Sequence, residues 1–159
     1  MVRSKSNMRA KAQTTAKRKT PARARAKTKV KSSPKQKFMV SNYREEDFKD
    51  GLRSHAKYRD LGISAATNGM VQAHVIRHVR PADHEGAGKL HYHDVQFQMI
   101  YVLKGWLRTE FEGQGEFTMR EGTCWLQPPR IVHAVREYSD DCELLEIILP
   151  AEFDTISLE

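Results

Sequence analysis

The first 37 residues contain no aspartate, no glutamate and no aromatic side chain; the first acid is Glu45 and the first aromatic is Phe38. A segment so poor in large apolar groups cannot bury enough surface to offset its ordering entropy, and its like charges repel. Nowhere does the chain carry an apolar run of 18 or more residues, which excludes a membrane-spanning helix. No apolar core of a secretory signal occurs in the first 30 residues, so a reducing, cytoplasmic setting is expected. Only two cysteines are present, Cys124 and Cys142, without C-x-x-C spacing. That argues against a cysteine metal knuckle and a small disulfide framework. Both sit in apolar, strand-like sequence and read as buried free thiols. At 159 residues the chain is too short for a large α/β barrel or a two-domain enzyme.

What is present is charge, unevenly spread. Residues 1–37 hold 14 Lys/Arg, whereas the remaining 122 residues hold 13 Lys/Arg against 20 Asp/Glu, a net of −7. A basic arm therefore precedes an acidic body, and the overall charge of +7 describes neither. The expected organisation is a disordered arm over 1–37, a linker or short helix over 38–60, a body over 61–152 and a short tail over 153–159. Charge and apolarity switch together at Phe38-Met39-Val40, which makes Met39 an alternative start, for the body alone.

The body reads as strands. Val71, Ala73 and Val75 alternate with Gln72, His74, Ile76 and His78, a period of two. After a polar loop, Met99 to Leu103 is a short apolar strand closed by Lys104-Gly105. Trp106 to Phe111, a turn at Gly113-Gln114-Gly115, and Glu116 to Arg120 follow as a hairpin. Thr123 to Gln127, Ile131 to Val135 and Cys142 to Leu149 complete the series, with Pro128-Pro129 as an interruption. About seven short strands with tight turns indicate an all-β sandwich or barrel. No long helix is expected in 69–149.

Chemistry concentrates in a few residues. His91 and His93 are two apart, so on a strand both point to one face and offer a two-toothed grip for a divalent transition metal. Gln98, at odd parity, joins that face only if the chain turns or bulges near Asp94 to Phe97. His133 follows the Pro-Pro break. His74 and His78 read instead as surface or satisfied core residues, and His84 as a loop residue.

The spacing around these residues resembles a known family. His91-x-His93, four residues, Gln98, six residues and Gly105 form one frame; Gly122, five residues, Pro128, one residue, Arg130, two residues and His133 form a second. Both are similar to the paired motifs of the cupins. The resemblance spans residues 61–152 and implies a double-stranded β-helix, or jelly roll, with one metal inside. It implies His91, His93, Gln98 and His133 as the ligand positions; on ligand type alone Fe, Mn, Ni or Zn suits them equally well. It also implies a homodimer.

Four positions depart from the pattern. The opening Gly is displaced to Gly86, the family's Glu is Gln98, a motif Gly is Arg130, and the closing Asn is Glu137. A neutral amide at 98 leaves more of the metal's charge uncompensated, which makes Gln98 either a ligand or a hydrogen-bond partner. Arg130 reads as an anion clamp at the pocket mouth or as a solvated turn residue. Of the strand aromatics, Tyr101 and Trp125 are the candidates for lining a ligand pocket.

These readings lead to a metal-binding cupin acting on a small molecule, with non-haem metal dioxygenation as the reaction considered first. A non-catalytic small-ligand binder is the alternative. A further alternative lies in the arm, which resembles linker-histone arms; Ser33-Pro34-Lys35-Gln36-Lys37 is similar to their Ser-Pro-Lys-Lys repeats. Lys17, Arg18, Lys19, Arg23, Arg25, Lys35 and Lys37 would then neutralise nucleic-acid phosphates without sequence choice. Removing residues 1–37 separates the readings: DNA retention is lost if the arm binds, while chemistry in the body is unaffected.

Overall fold

The computed structural model describes residues 35–51, 53, 55–79 and 88–158. Lys17, Arg18, Lys19, Arg23, Arg25 and His84 lie outside the described residues, as does nearly all of the expected disordered arm. Among the described residues no helix is long and apolar enough to cross a membrane.

Two antiparallel sheets face each other. The strands in chain order are β1 (Lys49–Asp50), β2 (Ala56–Asp60), β3 (Gln72–His78), β4 (His91–His93), β5 (Phe97–Lys104) and β6 (Trp106–Phe111). They continue with β7 (Gly115–Arg120), β8 (Cys124–Leu126), β9 (His133–Tyr138), β10 (Glu143–Leu149) and β11 (Thr155–Ser157). One sheet runs β1-β2-β3-β10-β5-β8, the other β11-β4-β9-β6-β7. This is the jelly roll that the paired motifs imply. Among the described residues the one α-helix is the five-residue Ile63–Thr67.

Alternation explains the packing. On β5, Gln98, Ile100 and Val102 turn inward while Met99, Tyr101 and Leu103 turn outward. On β10, Leu144 and Ile148 are buried, and Glu146 shares their parity. Val102 and Ile148 are completely buried, and each such side chain contributes about 1.5–3 kcal/mol through burial. The main cluster joins Ile100, Val102, Leu107, Phe111, Met119, Tyr138, Cys142 and Leu144 across both sheets.

Strand β3 turns its more polar face, Gln72, His74, Ile76 and His78, into the cavity. Its other face is covered by the N-terminal segment: the Arg77 guanidinium lies 3.8 Å over the Phe48 ring. It also bonds Glu143 at 2.6 Å. Such a strand looks two-sided in sequence because both faces are covered.

The stretch 38–60 is a correction. Instead of a linker or short helix it holds a three-residue 3-10 turn, Glu45–Asp47, and then β1 and β2. Charged residues hid β2. Ala56 and Tyr58 line the cavity, while Arg59 on the other face is buried. Its guanidinium finds partners in the Asn42 carbonyl at 2.8 Å and Ser41 Oγ at 3.1 Å, which is what makes a buried arginine tolerable. The segment 153–159, expected as a tail, contributes β11 against β4. Cys142 is the buried free thiol expected, its pKa pushed up to about 12 by burial. Cys124, also free, is exposed because it sits on an edge strand.

Gly105 shows why its position in the frame takes no side chain. Its φ is +69°, and a Cβ there would stand 2.2 Å from Ser139 Oγ and 3.2 Å from the Cys142 backbone. Gly105→Ala is therefore expected to lose more than about 1 kcal/mol of stability, read as a lower midpoint in urea unfolding. An unchanged midpoint would contradict the close approach.

Candidate metal centre

The three histidines meet through strand pairing. His91 and His93 point inward from β4, with Tyr92 between them, and His133 at the start of β9 is the register partner of His91. Ring centroids lie 4.2 Å apart for His91–His133, 5.1 Å for His91–His93 and 5.3 Å for His93–His133. One nitrogen from each ring lies within 4.8 Å of the others.

Each Nδ1 is committed. His91 Nδ1–H donates to the Lys89 carbonyl at 2.9 Å and His133 Nδ1–H to the Ile131 carbonyl at 2.9 Å. His93 Nδ1 pairs with Thr155 Oγ1 at 2.9 Å. These partners leave Nε2 of each ring for the common centre, because the bond made by one nitrogen sets the role of the other. Two N–H groups already point at those lone pairs: Arg53 Nη2 donates to His91 Nε2 at 2.6 Å, and Gln127 Nε2 to His133 Nε2 at 3.1 Å.

Burial keeps the rings neutral. It lowers His91 to about 3, helped by the charges of Arg53 and His133. It lowers His93 to about 4 against the opposing pull of Glu146, and it lowers His133 as well. Three neutral imidazoles with converging lone pairs are a donor set that fits a divalent transition ion.

Gln98 faces this centre from the other sheet. The chain crosses between sheets after His93, with Asp94 N–H bonded to the Asp154 carbonyl and Gln96 N–H to the Leu149 carbonyl. The odd parity of Gln98 is resolved by that crossing. Its side chain is 2% exposed, and both ends of its amide are used. Nε2 donates to Glu146 Oε1 at 2.6 Å, and Oε1 accepts from Gln127 Nε2 at 2.9 Å. Trp125 Nε1–H reaches Gln127 Oε1 at 3.5 Å, so each amide is oriented by its neighbours, and the chain Glu146–Gln98–Gln127–His133 spans the barrel.

Glu146, His74, Gln127 and Arg53 are functional candidates that the sequence reading missed. His74 Nε2 lies 2.6 Å from Glu146 Oε2, so it is a partner of a buried carboxylate. Burial raises the Glu146 carboxyl, but hydrogen bonds from His74 and Gln98 outweigh it and hold the group below the ordinary range. The available signal was parity: Glu146 shares a face with Leu144 and Ile148 in a buried strand. Nothing in the sequence placed Arg53.

The other sequence candidates divide. Trp125 lines the cavity. Tyr101 turns outward and is 37% exposed, because it alternates with the inward Ile100 and Val102. Arg130 sits on the surface with φ +62°, bonded to Tyr92 Oη at 3.1 Å and reaching Asp94 at 3.5 Å. Arg130 is therefore engaged with its own surface neighbours and does not line the cavity. Lys35 and Lys37 are exposed.

Thr155→Val removes the Nδ1 partner of His93 while keeping its shape. Loss of such an orienting bond is expected to weaken metal binding by about 10- to 100-fold, measured by competition with a chromophoric chelator. Equal affinity would dismiss Thr155 as an orienting group.

The architecture and site define a class: a jelly roll with a three-histidine centre in a cavity of about 570 Å³ between its sheets. Residues 77–148 match the family model of the cupin domain, and the fold is the cupin fold. No curated protein matches the chain. Among solved structures, the polyketide cyclase RemF from Streptomyces resistomycificus is similar at 17% identity, covering 76% of this chain and 87% of that one with TM-score 0.59. Bacillus subtilis oxalate decarboxylase, in a study of its Mn(II) centres, is 17% identical with TM-score 0.51, over 69% of this chain and 30% of that one. Salicylate 1,2-dioxygenase from Pseudaminobacter salicylatoxidans is 8% identical with TM-score 0.53, over 67% of this chain and 31% of that one. The chain thus spans about a third of the latter two. Likeness at this level is one of fold.

Proposed function

We propose that this protein binds one divalent transition metal at His91, His93 and His133 and acts on a small molecule in the adjoining cavity, with non-haem metal dioxygenation as the leading reaction. The observation that carries the reading is the convergence of three neutral imidazoles, each with Nδ1 already engaged. Bound there, the ion supplies Lewis-acid polarisation or, for iron, dioxygen activation.

The rest belongs to the chain. The carbonyls of Lys89 and Ile131 hold His91 and His133 in the Nδ1–H tautomer, and Thr155 fixes the orientation of the His93 ring. Glu146 fixes the Gln98 amide, which in turn positions Gln127 beside His133. Gln98 acts here by hydrogen bonding rather than ligation, since both ends of its amide are occupied. Ile100, Leu107, Trp125 and Val135 form apolar cavity wall that limits water. The similar folds are named for polyketide cyclisation, oxalate decarboxylation and salicylate dioxygenation, so fold alone does not choose the reaction.

The test is elemental analysis of the purified chain beside a His91→Ala/His93→Ala double variant. It is followed by oxygen uptake of the iron(II)-loaded protein with a panel of phenolic and keto acids. Near-stoichiometric metal lost in the variant, with substrate-dependent uptake, supports the whole reading. Metal without uptake for any acid in the panel overturns dioxygenation and favours the non-catalytic binder. Equal metal in both proteins sinks the triad.

A further inference from the structure

The cavity has an unusual charge balance. Among the described residues, the charged side chains lining it are Arg53, Lys89 and Glu146. Glu146 is already held by His74 and Gln98, each at 2.6 Å. Lys89 is exposed at the rim. Arg53 is different: it reaches inward to the triad, donating Nη2–H to His91 Nε2 at 2.6 Å. No carboxylate among the described residues pairs with it, and that single bond uses one of its five N–H groups. The remaining donors form the planar fork that matches a carboxylate.

A second observation comes from the opposite wall. Thr109 is 2% exposed and lines the cavity, and its Oγ1 has no hydrogen-bond partner. His78, also a lining residue, has a buried Nδ1 in the same condition. Buried polar atoms without partners are uncommon and costly. An apolar ligand would leave Thr109 Oγ1 so, whereas one with a second oxygen would satisfy it. A cavity of about 570 Å³ lies within the ordinary range for a small organic ligand.

We propose that the ligand is a small organic acid bearing a second polar oxygen. Arg53 takes its carboxylate beside the histidine centre, and Thr109 takes the hydroxyl or keto oxygen. This rests on the cavity being the ligand site, as in the reading above, and adds the ligand's chemical class and its recognition residues. Neutral isosteres are discriminated because they leave the guanidinium without its anion, and a site built for a charged partner rejects them strongly.

The experiment uses the full chain, stripped of metal with EDTA, and three probes of one shape: phenylacetate, its α-hydroxy counterpart mandelate, and the neutral phenylacetamide. Binding is followed by ligand-observed NMR at fixed ionic strength, with metal affinity of the same preparation measured separately. Phenylacetate is expected to bind at least about tenfold more tightly than phenylacetamide, and mandelate more tightly still. Arg53→Met is expected to abolish the acid–amide difference and Arg53→Lys to retain part of it. Thr109→Val is expected to erase the mandelate preference alone. Thermal unfolding of each variant confirms that it folds, and the basic arm, identical in all of them, cancels from the comparison.

An acid–amide difference that is absent, or that survives in Arg53→Met, overturns the proposal. A mandelate preference that survives Thr109→Val overturns its second half. Arg53-dependent acid binding in a chain that takes up no metal would leave this inference standing while the metal reading fell. Metal uptake with Arg53-independent binding would do the reverse.

Discussion

Replacing His133 by alanine is expected to lower affinity for a divalent transition metal by at least about a hundredfold, the upper end of what loss of a mere orienting partner costs. His133 faces His91 across the β4–β9 pair and brings the one ring of the centre that comes from β9. Without it, His91 and His93 remain a two-toothed grip on a single strand, and Gln98 offers no replacement while both ends of its amide are engaged. The effect is readable without any activity. At a metal concentration a hundred times the wild-type Kd, binding stabilises the fold by about 2.7 kcal/mol. At the same concentration a hundredfold weaker site stabilises by only about 0.4 kcal/mol. The metal-induced rise in melting temperature should therefore nearly vanish in His133→Ala, while the metal-free melting curve stays cooperative. A full rise in the variant would mean that the ion sits elsewhere.

Acid is expected to destabilise the metal-free protein well above the carboxylate range. His78 is lowered to about 4, by burial first and then by the charges of His55 and Arg53. His91 falls to about 3 and His93 to about 4, again chiefly through burial. Their unfolded values lie near 6.5, so between about pH 6.5 and 4 the unfolded chain binds protons at these sites and the folded chain does not. Stability then rises with pH across that window: it is fully present above 6.5 and lost as the pH falls. Glu146 acts in the same direction at lower pH, since its folded value is depressed and its stabilisation is lost on protonation. Urea midpoints measured from pH 7.5 down to 4.5 should decline steadily, and saturating metal should raise the whole curve without changing its slope, because the folded rings are already free of protons across this window. A flat profile in the metal-free protein would mean that these rings are not held neutral by burial.

The alternation along Phe97–Lys104 and Glu143–Leu149 was open to reading because side chains on a strand must choose between two faces. The His-x-His pair was legible for the same reason, since residues two apart share a face whatever the strand pairs with. Parity also carried a hint about Glu146 that is easy to pass over, because an acid among Leu and Ile reads as a solvated interruption. Strand β2 was harder. Lys57 and Arg59 disguise it, and Arg59 is tolerated in burial only because the carbonyl of Asn42 and the hydroxyl of Ser41 come to meet it. Local pattern cannot announce a partner supplied 17 residues away.

By itself, then, the sequence determined a basic arm, an all-β body and three histidines in the frame of a metal-holding barrel. It did so through charge, period-two alternation and spacing, all of which are local. Tertiary structure alone decided that Thr155 steadies His93, that Gln98 answers to Glu146 and Gln127 across the cavity, and that Arg53 reaches His91. Those contacts join residues 29 to 62 positions apart. They depend on which strands become neighbours and where the chain crosses between sheets, and neither is encoded in the spacing along one strand.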